Sequence, residues 1–534
     1  MIKKVAWLCL AGVLLAVVVA LVVFGWAAVR GIQGPKIVQG ETDLRFHEIS
    51  FPRVHVGDLD ASLSAMGISA IDIDGDGVDE IFASGGHGQA DALYRYTAEG
   101  FVQVETHDSF SKQDLDATFG SASIDATGDG LDDLFVARES GVYFYENQEG
   151  GAFSGERIEF GLSESTTPLS VALGDINHDG WVDLYISGYI KIELMEGETN
   201  FDVDYGGYSY LLLNNGDNTW ADISEDSGVF RRHNTFVAMF VDFDNDGWAD
   251  IVVAQDTGVV ETWRNLGDLS FERIENSTVF SYPMGVGAGD IDNDGYVDLF
   301  LSNVGTTLPT KLVKGNLTKE QPFNKDYMLL RNNQGSDFRD IAGEANAAKY
   351  GFGWGTIITD FNNDGRMDLY AAQNYARFPG VKFLELYPGR LLQQYDAGKF
   401  QAVESVAGIE NKNFGFTEVV SDFNQDGWPD MVIGNLTGPV RAFINSGGDR
   451  NWLTVRLPNT PMWLNSRVRV TTADGMVLTR QLFASEGLCS DQTDALFFGL
   501  GESAGPLKVE VHRPGADVQV FDDVAISSVL QVGQ

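Results

Sequence analysis

The chain has 534 residues, with 36 Lys and Arg against 77 Asp and Glu, a formal charge of -41. That balance excludes nucleic acid and anionic membrane surfaces as partners, since both are held by clustered Lys and Arg. A disordered acidic chain is excluded by 44% hydrophobic and 11% aromatic residues, and a disulfide framework by the presence of only Cys9 and Cys489.

Lys3 and Lys4 precede an uncharged run from Val5 to Val29 that Arg30 closes. The run is long enough to cross a bilayer, and the charge before it favours the N-terminus inside. It predicts a cytoplasmic stub over 1–4, a single transmembrane anchor over 5–29 and a linker over 30–42. The alternative is a cleaved signal peptide and a secreted protein. Either way the bulk of the chain faces the periplasm or the cell exterior.

From Asp72 onward an acidic nonapeptide recurs seven times: DIDGDGVDE, DATGDGLDD, DINHDGWVD, DFDNDGWAD, DIDNDGYVD, DFNNDGRMD and DFNQDGWPD. A small, apolar run precedes each copy, and an apolar burst such as LFVA or LYIS follows it. Two further short runs come next, as in YLLLNN and WADIS. Runs of this length bounded by Gly, Asn and Asp read as strands, four to a repeat. The prediction is all-β: a seven-bladed β-propeller over 43–446 with calcium-binding loops. The seventh repeat lacks its fourth strand, and LRFHEIS (44–50) has the pattern to supply it, joining the two ends so that no sheet edge stays open.

Repeats 3, 5 and 6 carry insertions between their second and third strands, about 189–208, 304–326 and 374–389. These segments hold Tyr189, Lys191, Tyr205, Tyr208, Lys311, Lys314, Arg377, Tyr387 and Arg390. Equivalent loops emerge on one side of a propeller, so these read either as a ligand face or as surface decoration.

Ca²⁺ takes 6–8 oxygens. Oxygen side chains at positions 1, 3, 5 and 9 of the nonapeptide, with a main-chain carbonyl at 7, supply five or more of them. The candidate ligands are Asp72, Asp74, Asp76 and Glu80 in the first loop and Asp125, Thr127, Asp129 and Asp133 in the second. In the third and fourth they are Asp175, Asn177, Asp179 and Asp183, then Asp242, Asp244, Asp246 and Asp250. The fifth has Asp290, Asp292, Asp294 and Asp298, and the sixth Asp360, Asn362, Asp364 and Asp368. The seventh has Asp422, Asn424, Asp426 and Asp430. Up to seven ions are expected, with the Thr127 loop weakest. Helical calcium loops need Glu at position 12, where this chain has Ala83, Val136, Ile186, Val253, Leu301, Ala371 and Ile433, so EF-hands are excluded.

The tail, 451–534, reads as a small, mostly β domain with apolar alternation in LTVRL and LKVEV. Taken together, the loops resemble FG-GAP/VCBS-type repeats of integrin-α-like propellers. The tail, above all LCSDQTDALFFGLG (488–501), resembles the ASPIC/UnbV domain of cartilage acidic protein-like proteins, with Leu488-Cys489-Ser490-Asp491 departing from the usual run. The resemblance implies extracellular, calcium-binding proteins with adhesion or matrix roles, and it implies no reaction. The expected function is therefore an anchored adhesion or interaction scaffold for an extracellular protein or glycan. A calcium-dependent propeller lyase or hydrolase and a purely structural surface protein are the alternatives. No G-x-S-x-G, H-E-x-x-H, C-x-x-C or P-loop is present.

Overall fold

The computed structural model describes residues 37–533 except 58–64, 107–108, 111–115, 149–150, 196–200, 203–204, 231, 306–309 and 375–386. The expected anchor over 5–29 lies outside the described residues. Among these no helix is long and apolar enough to cross a membrane.

Seven sheets, each built on four antiparallel strands, follow one another along the chain. In blade 2, for example, Thr118–Ile124 is innermost, followed outward by Asp133–Arg138, Gly141–Gln148 and Ala152–Arg157. Each innermost strand packs against the next, and the seventh, Gly415–Ser421, against the first, Ile68–Ile71. The seven sheets thus close into a propeller. The innermost strands are buried along their whole length and rich in small residues, because seven of them converge on one axis. A Cβ on Gly120 would sit 2.5 Å from the Leu169 carbonyl oxygen of the next blade, and one on Gly285 2.5 Å from that of Trp354.

The ring closes as the sequence suggested. Phe46–Ile49 pairs antiparallel with Arg441–Asn445, Phe46 opposite Asn445 and Ile49 opposite Ala442, so the first described strand completes the last blade. Arg441 clamps it by an ion pair to Glu48 at 2.7 Å. The insertions fall between the second and third strands of blades 3, 5 and 6, where expected, and their described residues leave the ring on the side opposite the acidic loops.

Beyond the ring, Asn451–Arg456, Ala495–Gly501 and Ser528–Gln531 form one sheet. Arg467–Thr471, Val477–Gln481, Leu507–His512 and Gln519–Val524 form a second. This C-terminal domain is not a free appendage. It covers the acidic-loop side of the ring: Asn459 accepts from the Asp125 amide at 2.9 Å, and Gly501 donates to the Asn363 carbonyl at 2.8 Å.

Candidate metal ring

All seven nonapeptides fold alike, each joining the innermost strand of its blade to the second. The position-1 Asp accepts from the amides of positions 5 and 6; in loop 5, Asp290 does so from Asp294 at 3.0 Å and Gly295 at 2.9 Å. The position-5 carboxylate accepts from the amide of position 7, as Asp294 does from Tyr296. The Gly at position 6 has φ between +79° and +93° in every loop, a conformation costly for a residue with a Cβ. The loop therefore curls its oxygens inward. Asp72, Asp74 and Glu80 bring one carboxylate oxygen each within 4.8 Å of one another, and so do Asp242, Asp244 and Asp246, and Asp290, Asp292 and Asp294. Three convergent carboxylates suit a hard divalent cation, so these residues fit calcium.

Position 9 is tied differently. In blades 2 to 7 its carboxylate accepts from two main-chain amides, position 2 of its own loop and a third-strand residue. For Asp298 the partners are Ile291 at 3.0 Å and Asn332 at 2.7 Å. Asp133, Asp183, Asp250, Asp368 and Asp430 repeat the pattern. These residues brace the loop on the sheet. In blade 1 the longer Glu80 bonds to Ile73 and pairs with Arg95 instead.

Two sets of bonds that sequence reasoning missed link the loops around the ring. The position-4 residue takes a positive φ, and in loops 3 to 6 its side chain reaches position 6 of the next loop. Asn245 donates to Gly295 O at 3.1 Å, Asn293 to Gly365 O at 3.2 Å and Asn363 to Gly427 O at 3.0 Å, and Nε2 of His178 lies 2.9 Å from Gly247 O. A third-strand amide reaches back to position 2 of the preceding loop: Asn147 to Ile73 O, Asn265 to Ile176 O, Asn332 to Phe243 O, Gln394 to Ile291 O and Asn445 to Phe361 O. The signal was present as an Asn or Gln at or near the end of the third-strand run in blades 2 to 7, and it was readable only once adjacent blades were aligned.

The axis is filled by the C-terminal domain. Ser490–Asp491 lies parallel to Ile68–Ile71 as a fifth strand of blade 1. The Asp491 carboxylate accepts from the Ser123 amide at 2.7 Å, Cys489 sits 3.5 Å from Leu169 O, and Gly487 and Val286 exchange two main-chain bonds. Glu486 accepts from the amide of Ala288, and Gln492 brackets blade 7 through Val420 N and Glu418 O. The segment that departs from the family run is thus a plug fitted to the innermost strands.

Family models match at both ends of this arrangement: FG-GAP-like repeat at 125–186 and 242–301, and ASPIC and UnbV at 458–534. The chain carries FG-GAP-like repeats and an ASPIC and UnbV domain. Cartilage acidic protein 1 of Xenopus tropicalis is 25% identical over 374 residues, 64% of this chain and 54% of that protein. The Mus musculus protein is 25% identical over 299 residues, 51% of this chain and 41% of its own length. The chain therefore spans about half the length of the curated relatives it matches. Among solved structures, an Agrocybe aegerita lectin that recognises non-reducing terminal N-acetylglucosamine aligns at 14% identity and TM-score 0.41, covering 76% of this chain and 98% of the lectin. YCF48 from Cyanidioschyzon merolae aligns at 13% and 0.42, covering 75% and 98%. Likenesses this distant carry no inference about ligands.

Position 3 separates six of the seven acidic loops into two kinds, the second loop with Thr127 standing apart. Where position 3 is Asp, the third strand places an Arg on it: Arg95 on Asp74 at 2.6 Å, Arg264 on Asp244 at 2.6 Å and Arg331 on Asp292 at 2.8 Å. Where position 3 is Asn (Asn177, Asn362, Asn424), its amide donates to the position-5 carboxylate. Burial raises Asp242, Asp290 and Asp360 to about 7 and Asp422 to about 6, and it raises Asp72, Asp125 and Asp175 as well. Burial likewise raises the bracing Glu80 and Asp133 to about 7 and Asp183 to about 8.

Two residues assigned to the insertion face point inward. Tyr189 is 6% exposed and donates to Asp256 at 2.6 Å, while Arg390, equally buried, pairs with Glu404. Arg377 lies outside the described residues. Tyr205, Tyr208 and Tyr387 are half-buried and Lys311 is exposed.

Proposed function

We propose that the chain is a calcium-stabilised interaction scaffold, held at the membrane by residues 5–29 and facing the cell exterior or periplasm. The carrying observation is the ring itself: seven identically folded acidic loops, with three carboxylate clusters drawn within 4.8 Å. Each loop holds carboxylates that repel one another, and a bound cation turns that repulsion into a link between strands. The candidate ligands are the side chains at positions 1, 3 and 5, with position 9 bracing the loop or completing the shell. The ASPIC and UnbV domain covers the loop side, so the recognition face for an extracellular protein or glycan is the opposite side. There the insertions of blades 3 and 5 meet over blade 4, Phe201 packing against Phe280, Tyr282 and Phe323 at 5.3 to 6.0 Å, with Asn316 bonding Phe201 N and Asp202.

Metal analysis of the purified full chain by mass spectrometry, followed by melting in calcium and in EGTA, tests the reading. Several equivalents of calcium and a large drop in melting temperature on chelation are expected. Metal-free protein with an unchanged melt refutes it. A glycan and protein array then tests the recognition face.

A further inference from the structure

A cavity of about 90 Å³ lies at the seam between blades 5 and 6 and the C-terminal domain. Its walls are largely apolar, including Ile357, Met367, Phe483, Leu496 and Phe497, and its buried charged groups are one cation, Arg480, and two acids, Asp290 and Glu486, whose carboxylates accept main-chain amides. Arg480 is 7% exposed. Its Nε donates to Phe497 O at 3.1 Å and its Nη1 to Thr479 O at 2.8 Å, while Nη2 is buried with no hydrogen-bond partner. Among the described residues no carboxylate lies within 4.0 Å of it. Asp290 and Asp360 attract it through space, while their carboxylates hydrogen-bond to amides of their own loops.

A guanidinium taken out of water with no carboxylate hydrogen-bonded to it costs several kcal/mol, and an unused donor on it costs more. An apolar cavity ending in one such donor has the make-up of a small-ligand site. We infer that this cavity binds a small organic monocarboxylate, its carboxylate on Nη2 of Arg480 and its hydrocarbon part against Ile357, Met367 and Phe497. At about 15 Å³ per water-sized position the volume admits roughly six heavy atoms, the size of butyrate. The half-exposed Arg467, Tyr296 and Thr493 mark where the cavity meets solvent. The inference stands on the cavity and the unpaired guanidinium, and not on whether the loops hold calcium.

The test titrates the full chain with sodium butyrate, with its neutral isostere butyramide and with sodium chloride, by calorimetry and thermal shift, in calcium and in EGTA. Saturable binding of butyrate, at least tenfold tighter than that of butyramide, is expected. Arg480→Gln should abolish it. Ile357→Phe, which fills the cavity and leaves the guanidinium, should abolish it too, and this second variant guards against misfolding of the first. Failure of butyrate to bind, binding equal to that of butyramide, or binding that survives both substitutions overturns the inference. Because calcium occupancy is measured on the same samples, loss of the calcium reading and loss of this one are told apart.

Discussion

The amide clasps between blades give the sharpest test of how the ring is held. Asn332 is 1% exposed; its Nδ2 donates to Phe243 O of the preceding loop at 2.8 Å and to Val297 O of its own at 2.9 Å, and its Oδ1 accepts from Gly335 N at 2.8 Å. Asn332→Ala removes three bonds at about 1 kcal/mol each and strips two buried carbonyls of this donor, a loss of about 3–4 kcal/mol. Asn214 is the reference. Its amide donates to Val182 O and Asn218 Oδ1 and accepts from Gly216 N and Asn218 N, all within blade 3, and among the described residues it makes no bond to the preceding loop. Asn214→Ala removes four bonds, all within its own blade, and should cost about as much as Asn332→Ala while leaving the seam between blades intact. Asn332→Asp places an oxygen against both carbonyls and should cost more than Ala at neutral pH, recovering as the acid protonates. Equilibrium urea unfolding of each variant in excess calcium, followed by tryptophan fluorescence, measures all three. If Asn332→Ala loses no more than about 0.5 kcal/mol, the clasps do not hold the blades together.

Removing residues 43–50 deletes the strand that closes blade 7 and the Glu48–Arg441 pair; soluble yield and melting temperature should both collapse, and an unaltered melt would show that closure is dispensable. In the absence of metal, the position-1 acids bind protons more tightly folded than unfolded, Asp422 at about 6 and Asp242, Asp290 and Asp360 at about 7 against an ordinary value near 4. The native state then holds more protons between about pH 4 and 7, so stability in EGTA falls as pH rises through that window. Saturating calcium should remove the fall, which melts at pH 5 and pH 7.5 would register. Gly427 and Gly247 share a positive φ, but a Cβ on Gly427 would meet the Trp452 ring at 1.9 Å, whereas one on Gly247 meets nothing within 4 Å. Gly247→Ala should cost about 1–2 kcal/mol of backbone strain and Gly427→Ala clearly more, with proteolysis reporting a loosened C-terminal domain; equal losses would count against the seating described.

The nonapeptide was legible because its chemistry is local. Position 6 must be Gly to turn, and positions 1, 3 and 5 must carry oxygens to face inward, so a single repeat shows both. The closing strand could also be read, since a ring of four-stranded sheets lacked one strand and 44–50 had the pattern for it. The role of position 9 was not legible. Asp298 and Asn332 are 34 residues apart, and only the antiparallel pairing brings the Asn332 amide to that carboxylate. Tyr189 and Arg390 misled for a similar reason. A tyrosine or arginine beside an insertion looks available until Asp256 and Glu404 are found beside it.

By itself the sequence determined what repeats over short range: seven turns, the strand periods flanking them, the excess of acid and a β-rich tail. Tertiary structure decided where that tail goes. Residues 486–492 run down the axis and bond to innermost strands from Ile68 to Val420, positions far apart in the chain that meet only when the ring closes. The same closure sets a buried Arg480 beside a cavity in neither domain alone. Strand patterns arise from the alternation of neighbouring residues, whereas an axis is a property of seven strands at once.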